Sequence, residues 1–193
     1  MQPTLDFDPF EATIHTVREA ICSRKVTCRQ ITEAFLARIV AINPIINAVI
    51  CLNPKVLEEA DAIDDALADG HNPGALVGVP VLLKDNFNTI NMKTTGGCRA
   101  LKDLQASDDA KVVKLLKNAG AVILGKANMH EMALEGLSVS SLGGQTLNPY
   151  DLTRTPGGSS GGSGAAVAAS LCVFATGTDT VNSLRSPASA NRY

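Results

Sequence analysis

Residues 157–169 read Gly-Gly-Ser-Ser-Gly-Gly-Ser-Gly-Ala-Ala-Val-Ala-Ala. Glycine and serine alone suit a flexible linker. Here they lead directly into 165–169, a run with almost no bulky side chain that favours a closely packed helix. A glycine-rich entry to a helix also leaves backbone N–H groups free for an anion, and hydroxyls accompany it at positions 159, 160 and 163. We interpret the stretch as a functional turn that opens a buried helix, with a linker as the alternative.

Helix and strand patterns alternate along the rest of the chain. Thr27 and Gln30 have capping-box spacing, and apolar residues with a helical period follow them to an expected stop at Asn43-Pro44. Alternation of this kind predicts an α/β fold, in which a mixed sheet has helices packed on it. We predict one domain over 1–193, with 1–9 as a loose arm. Further helices are predicted at 11–22, 54–68, 107–118, 126–134 and 164–171, and short apolar strands at 46–52, 78–83, 121–124 and 172–176.

The composition excludes several classes of protein. The 193 residues are 45% hydrophobic and 19% charged, which excludes a disordered tail. A net charge of −2 argues against nucleic-acid binding, and 4% aromatic residues are too few for a base-stacking platform. No apolar run reaches the roughly 18 residues of a membrane-spanning helix, and no signal peptide is visible. We expect no membrane span and a cytoplasmic location.

The cysteines indicate neither disulfides nor a metal site. There are five of them, an odd number, and no CxxC motif occurs. Reduced thiols in a cytoplasmic protein are the simplest interpretation. We therefore expect no bound metal and no cofactor.

If a serine is the nucleophile, its base is more plausibly a lysine than a histidine. The three histidines, at 15, 71 and 130, lie in polar helix or loop positions. A lysine base must be neutral, so its pKa must fall from about 10.4 towards about 7–8 through burial or neighbouring charge. Lys84 follows the apolar strand 79–83, which can deliver it to a buried position. The alternative is a surface lysine paired with Asp85.

Residues 120–127 nearly match a phosphate-binding loop. They read Gly-Ala-Val-Ile-Leu-Gly-Lys-Ala, close to G-x-x-x-x-G-K-[ST]. Ala127, however, has no hydroxyl for a magnesium ion, and the four central residues favour a strand. Nucleotide binding at this segment is the disfavoured alternative.

Four motifs follow one another along the chain. They are G-V-P-V-L-L-K-D-N at 78–86, G-K-A-N-M at 125–129, the stretch at 157–169, and G-T-D-T-V-N-S-L-R-S-P-A-S at 177–189. Together they resemble the amidase signature family of serine hydrolases over nearly the whole chain. The resemblance implies cleavage of the C–N bond of a small-molecule amide through a Ser–cis-Ser–Lys triad and an acyl-enzyme.

The resemblance also implies roles for single residues. Lys84 would be the base, Ser159 the bridging residue in a cis peptide bond, and Ser183 the nucleophile. Backbone N–H groups at and just before the nucleophile would form the oxyanion hole. Ser160 would support the turn by hydrogen bonding, and Asp179 would brace the loop that contains Ser183, with a purely structural role for Asp179 as the alternative. The residues implied for the oxyanion hole are Thr180, Val181, Asn182 and Ser183, and Ala133 is implied for the substrate pocket.

The chain departs from the family pattern in two ways. Val181-Asn182 stand where the family commonly has Gly-Gly, and a β-branched valine disfavours positive φ. Family members are also much longer, whereas this chain ends ten residues after Ser183 (193 − 183 = 10). We therefore expect the N-terminal part of an amidase domain, truncated at its C-terminal side. Two functions stay open: hydrolysis through Ser183, or a non-catalytic product that binds a partner or itself through uncovered core surface.

Overall fold

The computed structural model describes residues 7–71 and 73–191. Of the predicted arm at 1–9, residues 1–6 lie outside the described residues. The α-helices in these ranges are α1 (Ile14–Cys22), α2 (Cys28–Ile46), α3 (Val56–Ala68), α4 (Lys111–Asn118), α5 (Gly161–Ala168) and α6 (Arg185–Ala190). The strands are β1 (Val49–Leu52), β2 (Pro80–Lys84), β3 (Val122–Ala127), β4 (Val139–Ser140), β5 (Gly144–Gln145) and β6 (Phe174–Ala175). Short 3-10 helices span Arg99–Leu101 and Glu131–Ala133.

Four of the strands form one mixed sheet in the order β1-β3-β2-β6. β2 runs parallel to both β3 and β6, while β1 is antiparallel to β3. β4 and β5 form a separate antiparallel pair. Every residue of β2 and β3 is buried, as expected for central strands covered on both faces. The predicted α/β class with a mixed sheet is confirmed.

Helices cover both faces of this sheet. α2 and α5 pack on one face, where Leu82 and Leu124 lie in the larger apolar cluster. α4 inserts Val113 into a smaller cluster on the other face, beside Leu83 and Ile123. Successive residues of a strand point to opposite faces of the sheet. Lys84, which follows Leu83, therefore points to the face that α5 covers.

A bulge in β3 determines which side chains share a face. Pairing with β2 skips one residue of β3 just before Gly125, so that Leu83 pairs with Lys126. A side chain does not fit at Gly125, because its Cβ would lie 2.2 Å from the carbonyl oxygen of Cys51. Since paired residues share a face, Lys126 lies on the opposite face of the sheet from Lys84.

α2 begins as predicted and ends later than predicted. The capping box of Thr27 and Gln30 is present, with each side chain accepting the other residue's backbone N–H. The predicted stop at Pro44 is wrong, since the helix continues through the proline to Ile46 and is capped by Asn47, which has φ 53°. A proline in the last turn removes only one helical hydrogen bond, and the Asn47 N–H donates to the Asn43 carbonyl at 2.7 Å.

The helix predicted at 126–134 is wrong. Lys126 and Ala127 extend β3 instead, because β1 and β2 flank it and supply hydrogen-bond partners on both sides. Met132 and Ala133 then have φ of 54° and 59°, which a right-handed helix excludes. The helix predicted from residue 107 begins only at Lys111.

None of the helices in the described residues is both long and apolar enough to cross a membrane. All five cysteines are free thiols.

Candidate active site

Lys84 is the buried end of β2. Its side chain is 0% exposed, because β3 and β6 flank the strand and α5 covers its face. The ammonium nitrogen Nζ lies 2.7 Å from the hydroxyl oxygen of Ser159 and 2.8 Å from that of Thr178, and it donates to both. The surface pair with Asp85 considered from the sequence is therefore wrong. The structure brings the lysine against one of the serines singled out in 157–169.

Burial lowers the pKa of Lys84 from about 10.5 to about 8, because the apolar surroundings disfavour its charged form. The carboxylate of Asp179 opposes this shift by favouring the ammonium form. No carboxylate of the described residues forms an ion pair with Lys84. The amine can therefore lose its proton near neutral pH, which a general base requires.

Ser159 lies in a tight turn that runs into α5. The peptide bond between Gly158 and Ser159 is cis, and the Ser159 carbonyl accepts the backbone N–H of His130 at 3.0 Å. A Cβ at Gly158 would lie 2.8 Å from the backbone of Gly136, so only glycine fits this approach. The turn is buried and α5 begins at Gly161, which rules out the linker alternative.

Ser160 connects this turn to the loop at 177–184. We call this segment the nucleophile loop, because it contains Ser183, the predicted nucleophile. Its backbone N–H donates to the carbonyl of Ser183 at 3.2 Å. Its hydroxyl lies 3.4 Å from both the N–H and the carbonyl oxygen of Thr178. These contacts place Ser160, the predicted supporting residue, between the two segments that contain the two serines of the predicted triad.

Asp179 forms hydrogen bonds to the C-terminal end of the nucleophile loop. Its carboxylate accepts the backbone N–H groups of Leu184 and Arg185 at 3.2 and 3.3 Å, and also the Arg185 guanidinium. The hydrogen bond from Arg185 is the main reason that the pKa of Asp179 falls to about 2. Arg185 also donates to the carbonyl of Val181. The carboxylate and the guanidinium therefore enclose the turn that contains Ser183.

Ser183 is half-buried in this turn. Among the described residues, the Ser183 hydroxyl forms no hydrogen bond. The main-chain carbonyl of Ser183 accepts the backbone N–H of Ser160. Thr180, Val181 and Asn182 are exposed, and Val181 is 77% exposed. Neither Val181 nor Asn182 has positive φ, so the conformation that a β-branched valine disfavours does not occur here.

Ala133 lies on the short 3-10 helix that follows β3. It is exposed, and its N–H donates to the His130 carbonyl at 2.9 Å. His130 in turn holds the Ser159 carbonyl, so Ala133 belongs to a segment beside the turn. No hydrogen bond within the described ranges joins Ala133 to Lys84 or Ser183.

Sequence reasoning missed the contact of Thr178 and gave Lys126 no role. Thr178 belongs to the motif at 177–189, but its hydroxyl contacts Lys84 only after folding. Lys126 belongs both to the near-match to a phosphate-binding loop and to the motif at 125–129, and it lies in the buried strand β3. Lys126 lies 3.6 Å from the Asp85 carboxylate and donates to the Phe87 carbonyl at 2.8 Å. The structure thus agrees with the strand that the sequence favoured over a phosphate-binding loop.

A metal site is not apparent in the described ranges. They contain no cluster of three or more histidine, cysteine, aspartate or glutamate side chains that could hold a metal ion.

A serine hydroxyl in contact with a buried lysine is the arrangement of a serine–lysine hydrolase. The family model described as Amidase matches residues 30–192, and the chain belongs to this amidase signature family. It is 48% identical over 179 residues to a glutamyl-tRNA(Gln) amidotransferase subunit of Alkalilimnicola ehrlichii, covering 92% of this chain and 37% of that protein. Family membership supports activity on amide carbon–nitrogen bonds at the level of the family.

Solved structures of the family have the same fold as this chain. The native peptide amidase of Stenotrophomonas maltophilia is 41% identical with a TM-score of 0.90, over 94% of this chain and 39% of that one. A bacterial aryl acylamidase of the amidase signature family is 31% identical with a TM-score of 0.88, over 92% of this chain and 37% of that one. The chain thus spans less than half the length of the relatives it matches.

Proposed function

We propose that this chain carries the catalytic centre of an amidase that cleaves the C–N bond of a carboxylic amide through an acyl-enzyme on Ser183. One observation carries the proposal. Lys84 is fully buried, forms no ion pair with any carboxylate of the described residues, and lies 2.7 Å from the Ser159 hydroxyl. A lysine in this environment is suited to accept a proton at neutral pH.

The proposed first step is acylation of Ser183. Neutral Lys84 takes the hydroxyl proton of Ser159, which takes the proton of Ser183 as the Ser183 oxygen attacks the amide carbonyl carbon. The tetrahedral intermediate collapses, the C–N bond breaks, and the leaving nitrogen receives the proton from Lys84 through Ser159. An amine leaves, and an ester to Ser183 remains.

The proposed second step is hydrolysis of that ester. Water gives a proton to the same relay and attacks the ester carbonyl. The bond to the Ser183 oxygen then breaks, and the proton returns to Ser183. A carboxylic acid is released with the enzyme in its starting form, so no external oxidant, reductant or metal is needed.

Developing negative charge on the carbonyl oxygen would be stabilised by backbone N–H groups of Thr180, Val181, Asn182 and Ser183. Support comes from the nucleophile loop, which Asp179 and Ser160 hold from two sides. Donors that are fixed before reaction stabilise an oxyanion without reorganisation. We also keep Ala133 as a proposed wall of the substrate pocket.

The substrate class is proposed only as far as the relatives agree. This chain is similar to a peptide amidase, to an aryl acylamidase and to one subunit of an amidotransferase. The names of all three proteins refer to an amide, so we propose a small-molecule carboxylic amide as the substrate class. Action in the cytoplasm without a cofactor stays a prediction from the sequence.

A fluorophosphonate probe, which reacts covalently with activated serines, tests the proposal on the chain as it exists. We expect labelling that Ser183→Ala abolishes and that Ser189→Ala, at an exposed serine six residues further on, leaves unchanged. Circular dichroism of all three proteins establishes that they are folded. A folded chain without labelling, or labelling that persists in Ser183→Ala, would contradict the assignment.

A second candidate function, self-association, has a specific surface in its favour. An apolar groove of about 240 Å³ runs beside the edge strand β6, lined by Phe174, Leu184, Pro187 and other residues. Apolar surface next to an unpaired edge strand favours association with another copy of the chain. Sedimentation equilibrium should then show a dimer that Leu184→Lys weakens and Leu152→Lys, at another exposed leucine, does not. A monomer at all concentrations would count against this candidate.

A further inference from the structure

Thr178 lies between Lys84 and Asn86, the last residue of the motif at 78–86, to which the proposed triad gives no role. Its hydroxyl oxygen accepts a hydrogen bond from Lys84 Nζ at 2.8 Å and a second from the side-chain amide of Asn86 at 3.1 Å. Asn86 is exposed and lies two residues after Lys84, just beyond the end of β2. One exposed amide is therefore linked to the buried amine through a single hydroxyl.

The orientation of a lysine base matters because only one direction from its nitrogen accepts a proton. Neutral Nζ carries two N–H groups and one lone pair, and rotation about the Cε–Nζ bond interchanges their directions. An acceptor that binds one N–H restricts this rotation. Thr178 is such an acceptor, so it favours the rotamer in which the lone pair faces the Ser159 hydroxyl.

Thr178 itself needs an anchor. It follows the two-residue edge strand β6, and its main-chain contacts with Ser160 are long, at 3.4 Å. Asn86 approaches from a more rigid element, because the preceding Asp85 donates its N–H to the Ala127 carbonyl and is itself buried. The amide of Asn86 therefore connects the nucleophile loop to the end of the central strand.

We propose that Asn86 is a positioning residue, which holds the Thr178 hydroxyl so that the lone pair of Lys84 points at Ser159. The inference rests on the proposed function, in which Lys84 is the base. Among the described residues, the Asn86 side chain hydrogen-bonds only to Thr178, so its proposed effect on Lys84 passes through that hydroxyl. Because Asn86 is exposed, its replacement leaves the core intact.

Two substitutions of Asn86 separate positioning from charge. Asn86→Leu removes the donor, so the plateau rate of fluorophosphonate labelling at high pH should fall by about tenfold while the pH midpoint stays in place. Asn86→Asp keeps a hydrogen-bond partner for the Thr178 hydroxyl but adds a negative charge. It should retain the plateau rate and move the midpoint upward by about one pH unit. Asn88→Leu, at an exposed asparagine of the same loop, is the matched control and should change neither quantity.

A second measurement does not depend on activity. In protein labelled with 13Cε-lysine, the Lys84 signal is identified by its loss in Lys84→Met, and its relaxation reports the order of the side chain. We expect lower order in Asn86→Leu and wild-type order in Asn88→Leu and Asn86→Asp. Thermal unfolding of each variant measures any loss of fold.

The two measurements distinguish failure of this inference from failure of the proposed function. Unchanged Lys84 order and unchanged plateau rate in Asn86→Leu would overturn the role of Asn86. Equal losses of rate in Asn86→Leu and Asn86→Asp would also overturn it, since they indicate a merely structural role. If wild-type Ser183 is not labelled at all, the proposed function fails, and the relaxation of Lys84 alone then decides whether Asn86 positions it.

Discussion

Two lysines, Lys84 and Lys126, lie at the ends of neighbouring strands, and both are 0% exposed. Burial lowers the pKa of each, because apolar surroundings disfavour a charged amine. Their partners differ. Lys126 lies 3.6 Å from the Asp85 carboxylate and donates to two backbone carbonyls and the Thr94 hydroxyl. Among the described residues, the Lys84 ammonium donates only to the hydroxyls of Ser159 and Thr178.

The difference separates a structural cation from a base. The carboxylate and carbonyl oxygens around Lys126 stabilise its ammonium form, and the ion pair with Asp85 joins β3 to the loop after β2. Hydroxyls compensate a buried charge less well than a carboxylate does, so Lys84 is the lysine that can exist as a free amine. Burial lowers the pKa of both lysines, but at Lys126 a contacting carboxylate opposes that shift, whereas no carboxylate of the described residues contacts Lys84.

Removing the amine of Lys84 tests the catalytic half of this comparison. Lys84→Met should lower the rate of Ser183 labelling by about 10²–10⁴-fold, because a general base contributes this much to proton transfer. Mass spectrometry of the probe adduct over time measures the rate. Lys111→Met, at an exposed lysine of α4, is the control and should label like the wild type. Wild-type labelling of Lys84→Met would assign the base elsewhere.

Removing the amine of Lys126 tests the structural half. Lys126→Met should lower the free energy of unfolding by about 3–5 kcal/mol, because it leaves the Asp85 carboxylate buried without its partner. Urea denaturation measures the change. The double variant Lys126→Met/Asp85→Asn should recover part of the loss, since it removes the uncompensated charge. A stable single variant would mean that Lys126 is not a structural cation.

The pH dependence of stability should also distinguish Lys84. Its pKa is about 8 in the folded chain and about 10.5 in the unfolded chain, so between these values the unfolded state binds more protons. The free energy of unfolding of the wild type, relative to Lys84→Met, should therefore rise with pH by at most about 1.4 kcal/mol per pH unit. The rise should begin near pH 8 and end near pH 10.5. Parallel urea titrations of both proteins at several pH values measure it, and a flat difference would place the pKa of Lys84 at its ordinary value.

The smallest expected effect concerns Asp179, whose carboxylate raises the pKa of Lys84. Asp179→Asn should move the pH midpoint of Ser183 labelling downward from about 8, by less than one pH unit. Asp151→Asn is the matched control, because Asp151 also pairs with an arginine but does not act on Lys84. An upward shift would contradict the electrostatic role of Asp179.

Much of the fold could be predicted because it depends on local patterns. The capping box at Thr27 and Gln30, the buried strand before Lys84 and the helix after the glycine-serine stretch all follow from residues close in sequence. Pro44 and the 126–134 segment were misjudged for the opposite reason. A proline in a last turn and the end of a strand flanked by two other strands take their conformation from neighbours distant in sequence.

The candidate site divides in the same way. The four motifs identified the segments that hold Lys84, Ser159 and Ser183, and the structure places Lys84 and Ser159 in contact. The hydrogen bonds of Thr178 and Asn86 could not be predicted, because their side chains meet only after β6 pairs with β2 and the nucleophile loop folds back.

By itself, the sequence determined the alternation of helices and strands and the order of its motifs, since both are local properties of the chain. Only the tertiary structure decided which of the two buried lysines has no carboxylate of the described residues in contact with its amine. A single-residue bulge before Gly125 turns Lys126 towards Asp85, while Lys84 keeps the face of α5 and the hydroxyls. Pairing register and burial are long-range properties, so the pKa of each lysine is set only once the sheet has formed.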